Sequence, residues 1–363
     1  MRIPRYDGFG LVNLAAEVEH RLTGSAPAPR LDPSIRDLIP DADTYLLVLI
    51  DGLGSGQLDH PAAAPLAAAH RATIDAPYPT QTSVVTSTLA TGLPPSQHGL
   101  VSYQLMLPPH GIVNTLYWFS VAAGEPIDHD PAAFLPSPNV AERLAAAGGE
   151  VVVVEPSAMV DSTIDRVLYR GATVRGVGDE EEAVAAALEE AAVPGRLVVA
   201  YFPHVDAAAH LAGPGRDLYA AALETVGRAW TGLEAGLPSH AALLGTADHG
   251  HVDIPPEGHI IVEPPAGVTI GGDGRVLHLH GPDAAIAELA EGLPGTLVAR
   301  SDAGPLWGPG PFHPAFEERA PDALLFAGHG IAWLFPGDDQ PMVGHHGGLT
   351  NAEVEIPLLV GGP

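Results

Sequence analysis

The sequence predicts an α/β fold: a doubly wound, mostly parallel sheet with helices on both faces and a small inserted α+β subdomain. Three observations predict it. Continuous apolar runs, the pattern of strands buried on both faces, occur at 46–50, 197–202 and 242–246. Stretches of helical periodicity separate such runs, which gives the alternation of a doubly wound sheet. After about residue 260 that alternation yields to a hairpin signal and Gly/Pro-rich chain. Each of the three runs also leads into acidic residues: Asp51, then Asp206 with His210, then Asp248 with His249. Sites of open α/β sheets lie outside the carboxyl ends of the strands. Three distant segments could therefore bring carboxylate and imidazole to one sheet edge.

The elements follow in order. Residues 9–23 place Leu11, Leu14, Ala15, Val18 and Leu22 near helical spacing. Residues 24–42 hold four prolines and read as a loop before the first strand, 44–50. Residues 77–82 read as extended chain entering a helix at 83–90, which Gly92 and Pro94-Pro95 close. A helix at 139–147 ends at Gly148-Gly149 and a strand follows at 150–155. The helix at 180–192 is acidic at its start, which suits the helix dipole. A strand at 197–202, a helix at 216–233 and a strand at 241–246 complete this run. Residues 268–270 and 276–279 then flank Gly271-Gly272-Asp273-Gly274 as a hairpin, before a helix at 283–293 and a strand at 297–300. We expect a catalytic domain at 1–260 and 320–363 and an inserted subdomain at 261–319. The chain is expected to return to the main sheet through 323–326, 331–334 and 355–360.

Composition excludes several function classes. Hydrophobic residues are 46% and charged residues 17%, so the chain is globular. Cysteine is absent, which removes disulfides, thiolate ligands and a cysteine nucleophile. No apolar stretch approaches the ~20 residues of a membrane span, and the start of the chain lacks a signal-peptide core. A cytoplasmic location and no membrane partner are expected. The formal net charge is −28, and all 16 basic residues are arginine. That charge argues against a nucleic-acid polymer as partner. An anionic substrate would need strong local positive charge, which bound divalent cations supply.

Asp206 and His210 stand four apart, a spacing that shares one helix face and suits a catalytic metal. Asp248-His249-Gly250 follows a strand directly, with Gly giving a sharp turn, and His251 is a rival ligand. Asp51-Gly52 could be an ordinary turn; its coincidence with the other strand ends lifts it. Thr82 stands where a hydroxyl would cap the helix or serve as its nucleophile, and Thr80, Ser83 and Thr86 compete. Gly344-His345-His346-Gly347-Gly348 pairs histidines among glycines, a pattern core packing does not explain. Tyr117-Trp118-Phe119 reads first as core and second as a stacking surface for a leaving group.

Taken together, the chain resembles the alkaline phosphatase superfamily, nearest its type I phosphodiesterase/nucleotide pyrophosphatase family. The resemblance rests on Asp51-Gly52, Pro79-Thr80-Gln81-Thr82, the run from Thr91-Gly92 to His98-Gly99, Asp206…His210…Gly213-Pro214, Asp248-His249-Gly250 and His346-Gly347. It implies an alkaline-phosphatase-like fold and two divalent metal ions, zinc first, with manganese or iron tolerated. One ion would be held by Asp206, His210 and His346. The other would be held by Asp51, Asp248, His249 and the hydroxyl of Thr82. Thr82 matches the nucleophile because it lies nine residues before Thr91-Gly92. His346 matches because it directly precedes Gly347.

The resemblance further implies hydrolysis of small-molecule phosphoesters, of the phosphodiesterase/nucleotide pyrophosphatase type, through a covalent phospho-threonine. Phosphomonoester or phosphonate hydrolysis is the alternative within the superfamily, and a non-catalytic metal-binding homologue is the alternative outside it. One departure concerns substrate. Some relatives follow the nucleophile with aromatic-Pro-Asn-His, where this chain has Ser83-Val84-Val85-Thr86.

Overall fold

A computed structural model describes residues 1–336 and 342–362; residues 337–341 and Pro363, within the predicted 320–363 segment, lie outside them. The main sheet has seven strands in the order His70–Asp75, Glu355–Val360, Ala241–Thr246, Thr44–Ile50, Arg196–Phe202, Glu150–Pro156 and Thr173–Val177. Thr44–Ile50 sits inside, parallel to both neighbours, with Leu47 opposite Val199 on one side and Leu244 on the other. All seven of its residues are buried, which is why it reads as an unbroken apolar run. Glu355–Val360 runs antiparallel to both its neighbours. The parallel strands therefore present three adjacent carboxyl ends at Ile50, Phe202 and Thr246. Those ends are tied together: the Asp51 amide donates to Phe202 O (3.0 Å) and the Asp206 amide to Asp51 O (2.9 Å).

The helix predicted at 83–90 spans Thr82–Thr91 and stops at Gly92, which is left-handed at φ 66° and donates to Thr88 O. Its N-cap is Gln81, whose side chain does not cap it. The helix predicted at 139–147 spans Val140–Ala146, started by a capping box between Asn139 and Glu142.

A second, antiparallel sheet has the order Gly295–Ala299, Ala323–Ala327, Val276–His280, Thr269–Asp273, Gln104–Met106, Ile112–Asn114 and Phe119–Ser120. The predicted hairpin is at its centre, pairing Ile270 with Leu279. Two sequence expectations fail here. Ala323–Ala327 pairs with Val276–His280 and Gly295–Ala299 and does not return to the main sheet. Ala332–Leu334 pairs with His259–Ile261 in a separate ribbon. The first error has a physical cause. Leu324 and Phe326 enter one apolar cluster while Ala323 and Leu325 enter another. A strand buried on both faces gives the same apolar run in either sheet.

Near the main sheet, Glu155 and Asp165 form a buried carboxyl pair, 1% and 5% exposed. Burial and its hydrogen bond to Asp165 push Glu155 up to about 9. The folded chain therefore keeps a proton that the unfolded chain releases near the ordinary carboxyl value. The resulting stability is complete below that value and is lost as pH rises towards about 9. Glu155→Gln is expected to flatten this slope and to stabilise the protein at pH 8 by on the order of 1 kcal/mol. Thermal unfolding of both proteins between pH 5 and 9 checks it; equal slopes would contradict it.

Candidate metal centre

The three strand ends converge. Asp51 is 2% exposed; one of its oxygens accepts from the Tyr201 hydroxyl, and Oδ1 has no hydrogen-bond partner. Asp248 Oδ1 accepts from the amides of Gly52 and His249, both at 3.0 Å, while its Oδ2 is unpartnered. Gly52 is left-handed at φ 77°, and a Cβ there would stand 2.8 Å from the backbone of Asp206. His249 Nε2 faces three oxygens: Asp248 Oδ2 at 3.3 Å, Asp51 Oδ1 at 3.5 Å and Thr82 Oγ1 at 3.3 Å.

The helix His204–Ala212 carries Asp206 and His210 on one face, with Oδ1 and Nε2 3.2 Å apart. His346 Nε2 lies 3.8 Å from the same Asp206 oxygen. His210 Nδ1 donates to Gly344 O at 2.8 Å, and His346 Nδ1 donates to Thr80 O at 2.7 Å. Each bond places the proton on Nδ1 and leaves Nε2 its lone pair, the tautomer a metal needs. The two residue groups touch: the rings of His249 and His346 stack at 3.6 Å and 7°. His345 turns away, its Nε2 3.2 Å from His259 Nε2 and 3.0 Å from Met342 O.

The rival hydroxyls are committed elsewhere. Thr80 donates to Gly348 O and accepts from the Gly347 amide. Ser83 bonds Thr115, and Thr86 donates to Thr82 O. Thr82 is the first residue of its helix and not the cap, so its hydroxyl is left to face His249. The structure thus brings all seven predicted residues together: Asp51, Thr82, Asp206, His210, Asp248, His249 and His346.

Charge in this cluster is unbalanced. Burial, then Asp248 and Asp206, push Asp51 well above the usual carboxylate range. Burial also raises Asp206, but His210 and His251 more than reverse this and hold it well below. Burial, then the neighbouring imidazoles, hold His346 well below the ordinary histidine value. Donor atoms of Asp206, His210 and His346 lie within 4.8 Å of one another, as do those of Asp51, Asp248 and His249. The buried, unpartnered oxygens of Asp51 and Asp248 are what a cation would satisfy. The residues fit divalent metal.

Sequence reasoning gave no role to several neighbours. Tyr201 was visible only as a polar tip in an apolar run. In the sequence Asp273 reads as a turn residue; it is half-buried, accepts from Gln81, and desolvation pushes it up to about 7. A Cβ on Gly347 would collide with this carboxylate at 2.1 Å, so the loop after His346 needs glycine. Trp118 is core, stacked on His129 and packed on Phe134, whereas Tyr117 is 69% exposed.

Among solved structures the chain is similar to murine ectonucleotide pyrophosphatase/phosphodiesterase 5, with TM-score 0.66, 19% identity and 88% of each chain covered. The same murine protein is known as an inactive threonine-to-alanine variant in complex with AMP, at TM-score 0.66 and 19% identity over 88% of each chain. Phosphonoacetate hydrolase from Sinorhizobium meliloti 1021, in complex with phosphonoformate, matches at TM-score 0.66 and 18% identity, covering 89% of this chain and 91% of that one. These likenesses establish the alkaline-phosphatase-like fold. No curated protein matches the chain. The model of the type I phosphodiesterase/nucleotide pyrophosphatase family matches residues 45–348. That span is most of the chain and includes all seven candidate residues, so the protein belongs to this family of phosphoric ester hydrolases.

Proposed function

We propose that this chain hydrolyses small-molecule phosphodiesters or nucleotide pyrophosphates through a covalent intermediate on Thr82. The observation that carries this is the Thr82 hydroxyl, 3.3 Å from His249 Nε2 at the first residue of a helix. Asp206, His210 and His346 would hold one divalent ion, and Asp51, Asp248, His249 and Thr82 the other. Zinc suits these donors best, with manganese or iron as alternatives. When bound, the ions supply the positive charge that favours the Thr82 alkoxide and offsets the charge of the phosphoryl oxygens.

The chain's own residues do the rest. Thr82 Oγ1 forms a bond to phosphorus while the bond to the leaving oxygen breaks on the opposite side. The threonine proton ends on the leaving alcohol or phosphate. A water oxygen then attacks phosphorus, the bond to Thr82 breaks, and the threonine hydroxyl is restored. The Thr82 and Ser83 amides open helix Thr82–Thr91 and would offer their N–H groups to an anionic group bound there. Arg275, in the turn of the central hairpin, is committed to Glu353 and to backbone carbonyls and so is not free to clamp the extra oxygens of a phosphate monoester. The similarity to a phosphonoacetate hydrolase supports phosphonates as a second substrate class.

Rates on bis-p-nitrophenyl phosphate, p-nitrophenyl phosphate, a p-nitrophenyl thymidylate and phosphonoacetate, each with and without chelator, test this reading. The diesters are expected to turn over fastest and chelator to stop them. No turnover of any substrate would indicate a non-catalytic homologue. Turnover indifferent to chelator would contradict the metal-dependent reading.

A further inference from the structure

His251 has no place in either proposed ligand set, yet it sits among them. Its ring lies 5.0, 5.4 and 5.1 Å from the rings of His210, His249 and His346. Its side chain is fully buried, and its Nε2 is 2.9 Å from Asp206 Oδ1. That is closer than His210 at 3.2 Å or His346 at 3.8 Å comes to the same oxygen.

Two glycines wall the ring in. A Cβ on Gly52 would stand 2.8 Å from His251 Nε2, and a Cβ on Gly344 would stand 3.1 Å from its Nδ1. The backbone is held as well: the next residue, Val252, pairs with His345 in the ribbon that leads to His346. The ring thus has a fixed orientation built from three segments of the chain.

The proton's position follows from the partners. Nδ1 is buried and has no hydrogen-bond partner. A proton there would be a buried donor with no acceptor. It would also leave an imidazole lone pair facing a carboxylate oxygen at 2.9 Å with no hydrogen between them. The proton therefore belongs on Nε2, where it is donated to Asp206. A nitrogen that carries this proton donates and does not ligate.

We infer that His251 is a positioning residue of the metal centre: its Nε2–H donates to Asp206 Oδ1 and holds that carboxylate turned towards His210 and His346. This rests on the reading of Asp206 as a metal ligand. Hydrogen bonds of this kind to metal ligands typically govern affinity by 10–100-fold.

The test is competition of the metal-free full-length protein against a chromogenic chelator for Zn2+, with the visible spectrum of the Co2+-loaded protein as second readout. Wild type is expected to take up two equivalents. His251→Ala is expected to weaken one of them about 10–100-fold and leave the other unchanged. His251→Asn, which keeps more volume but sets its amide short of Asp206, is expected to repeat that loss. His251→Gln is expected to recover most of the affinity and the wild-type Co2+ spectrum. Its amide nitrogen can reach Asp206 and donate, but it cannot ligate. Unchanged affinity in both His251→Ala and His251→Asn would overturn the inference. So would equal weakening of both metals, or a His251→Gln protein as weak as His251→Ala, which would mark the ring itself as a ligand. Wild type that binds fewer than two equivalents would refute the two-metal reading instead.

Discussion

Thr82→Ala is expected to lower kcat on a phosphodiester by about 10³-fold or more while the folded structure and metal content persist. The hydroxyl faces the carboxylate–imidazole cluster from the start of its helix. The neighbouring hydroxyls of Thr80, Ser83 and Thr86 are tied to other partners and cannot take its place. Removing the methyl and hydroxyl of one first-turn residue costs little in folding, since alanine is the best helix former. Steady-state rates, circular dichroism and metal analysis of the variant check the claim together. A variant that keeps more than a tenth of wild-type kcat would remove Thr82 from its role.

Stripping the metals is expected to abolish activity and to lower stability by several kcal/mol. A ligand held at 100 times its Kd stabilises the folded state by about 2.7 kcal/mol per site. The metal-free centre keeps Asp51 and Asp248 buried, each with an unpartnered oxygen, beside Asp206. Burial and these two carboxylates hold Asp51 far above its ordinary range. Its sign follows. A folded-state value above the unfolded one gives stability that is complete at low pH and lost as pH rises through the folded value. Metal-free protein should therefore lose stability as pH rises above the usual carboxyl range. Asp51→Asn should remove that loss and make the metal-free form more stable by ~1–3 kcal/mol, at the cost of activity. Thermal unfolding of both proteins with Zn2+ and with chelator measures this. A metal-free Asp51→Asn protein no more stable than metal-free wild type would contradict it.

The parts of the site read from sequence were those that local patterns carry. Asp51, Asp206 and Asp248 follow strands whose burial on both faces gives apolar runs, and the parallel order of those strands aligns their ends. His210 is set by helical spacing from Asp206. Other parts depend on contacts that no local pattern carries. Tyr201 reaches Asp51 across 150 residues, and Gln81 reaches Asp273 across 192. Gln81 also explains why Thr82 is not the helix cap: the chain enters the helix one residue before it, with the Gln81 side chain drawn to Asp273 and the Tyr103 amide. The three short strands at 104–120 are two or three residues long, too brief for periodicity to register. Ala323–Ala327 was misassigned because it is packed between two apolar clusters, as a main-sheet strand would be.

The proposed reaction is a two-step displacement at phosphorus through Thr82. The stereochemical course tests it most directly, using a phosphorothioate diester of known configuration turned over in isotopically labelled water. Two in-line displacements each invert phosphorus, so net retention is the expected result. Net inversion would mean that water attacks the substrate directly and would contradict the covalent role of Thr82.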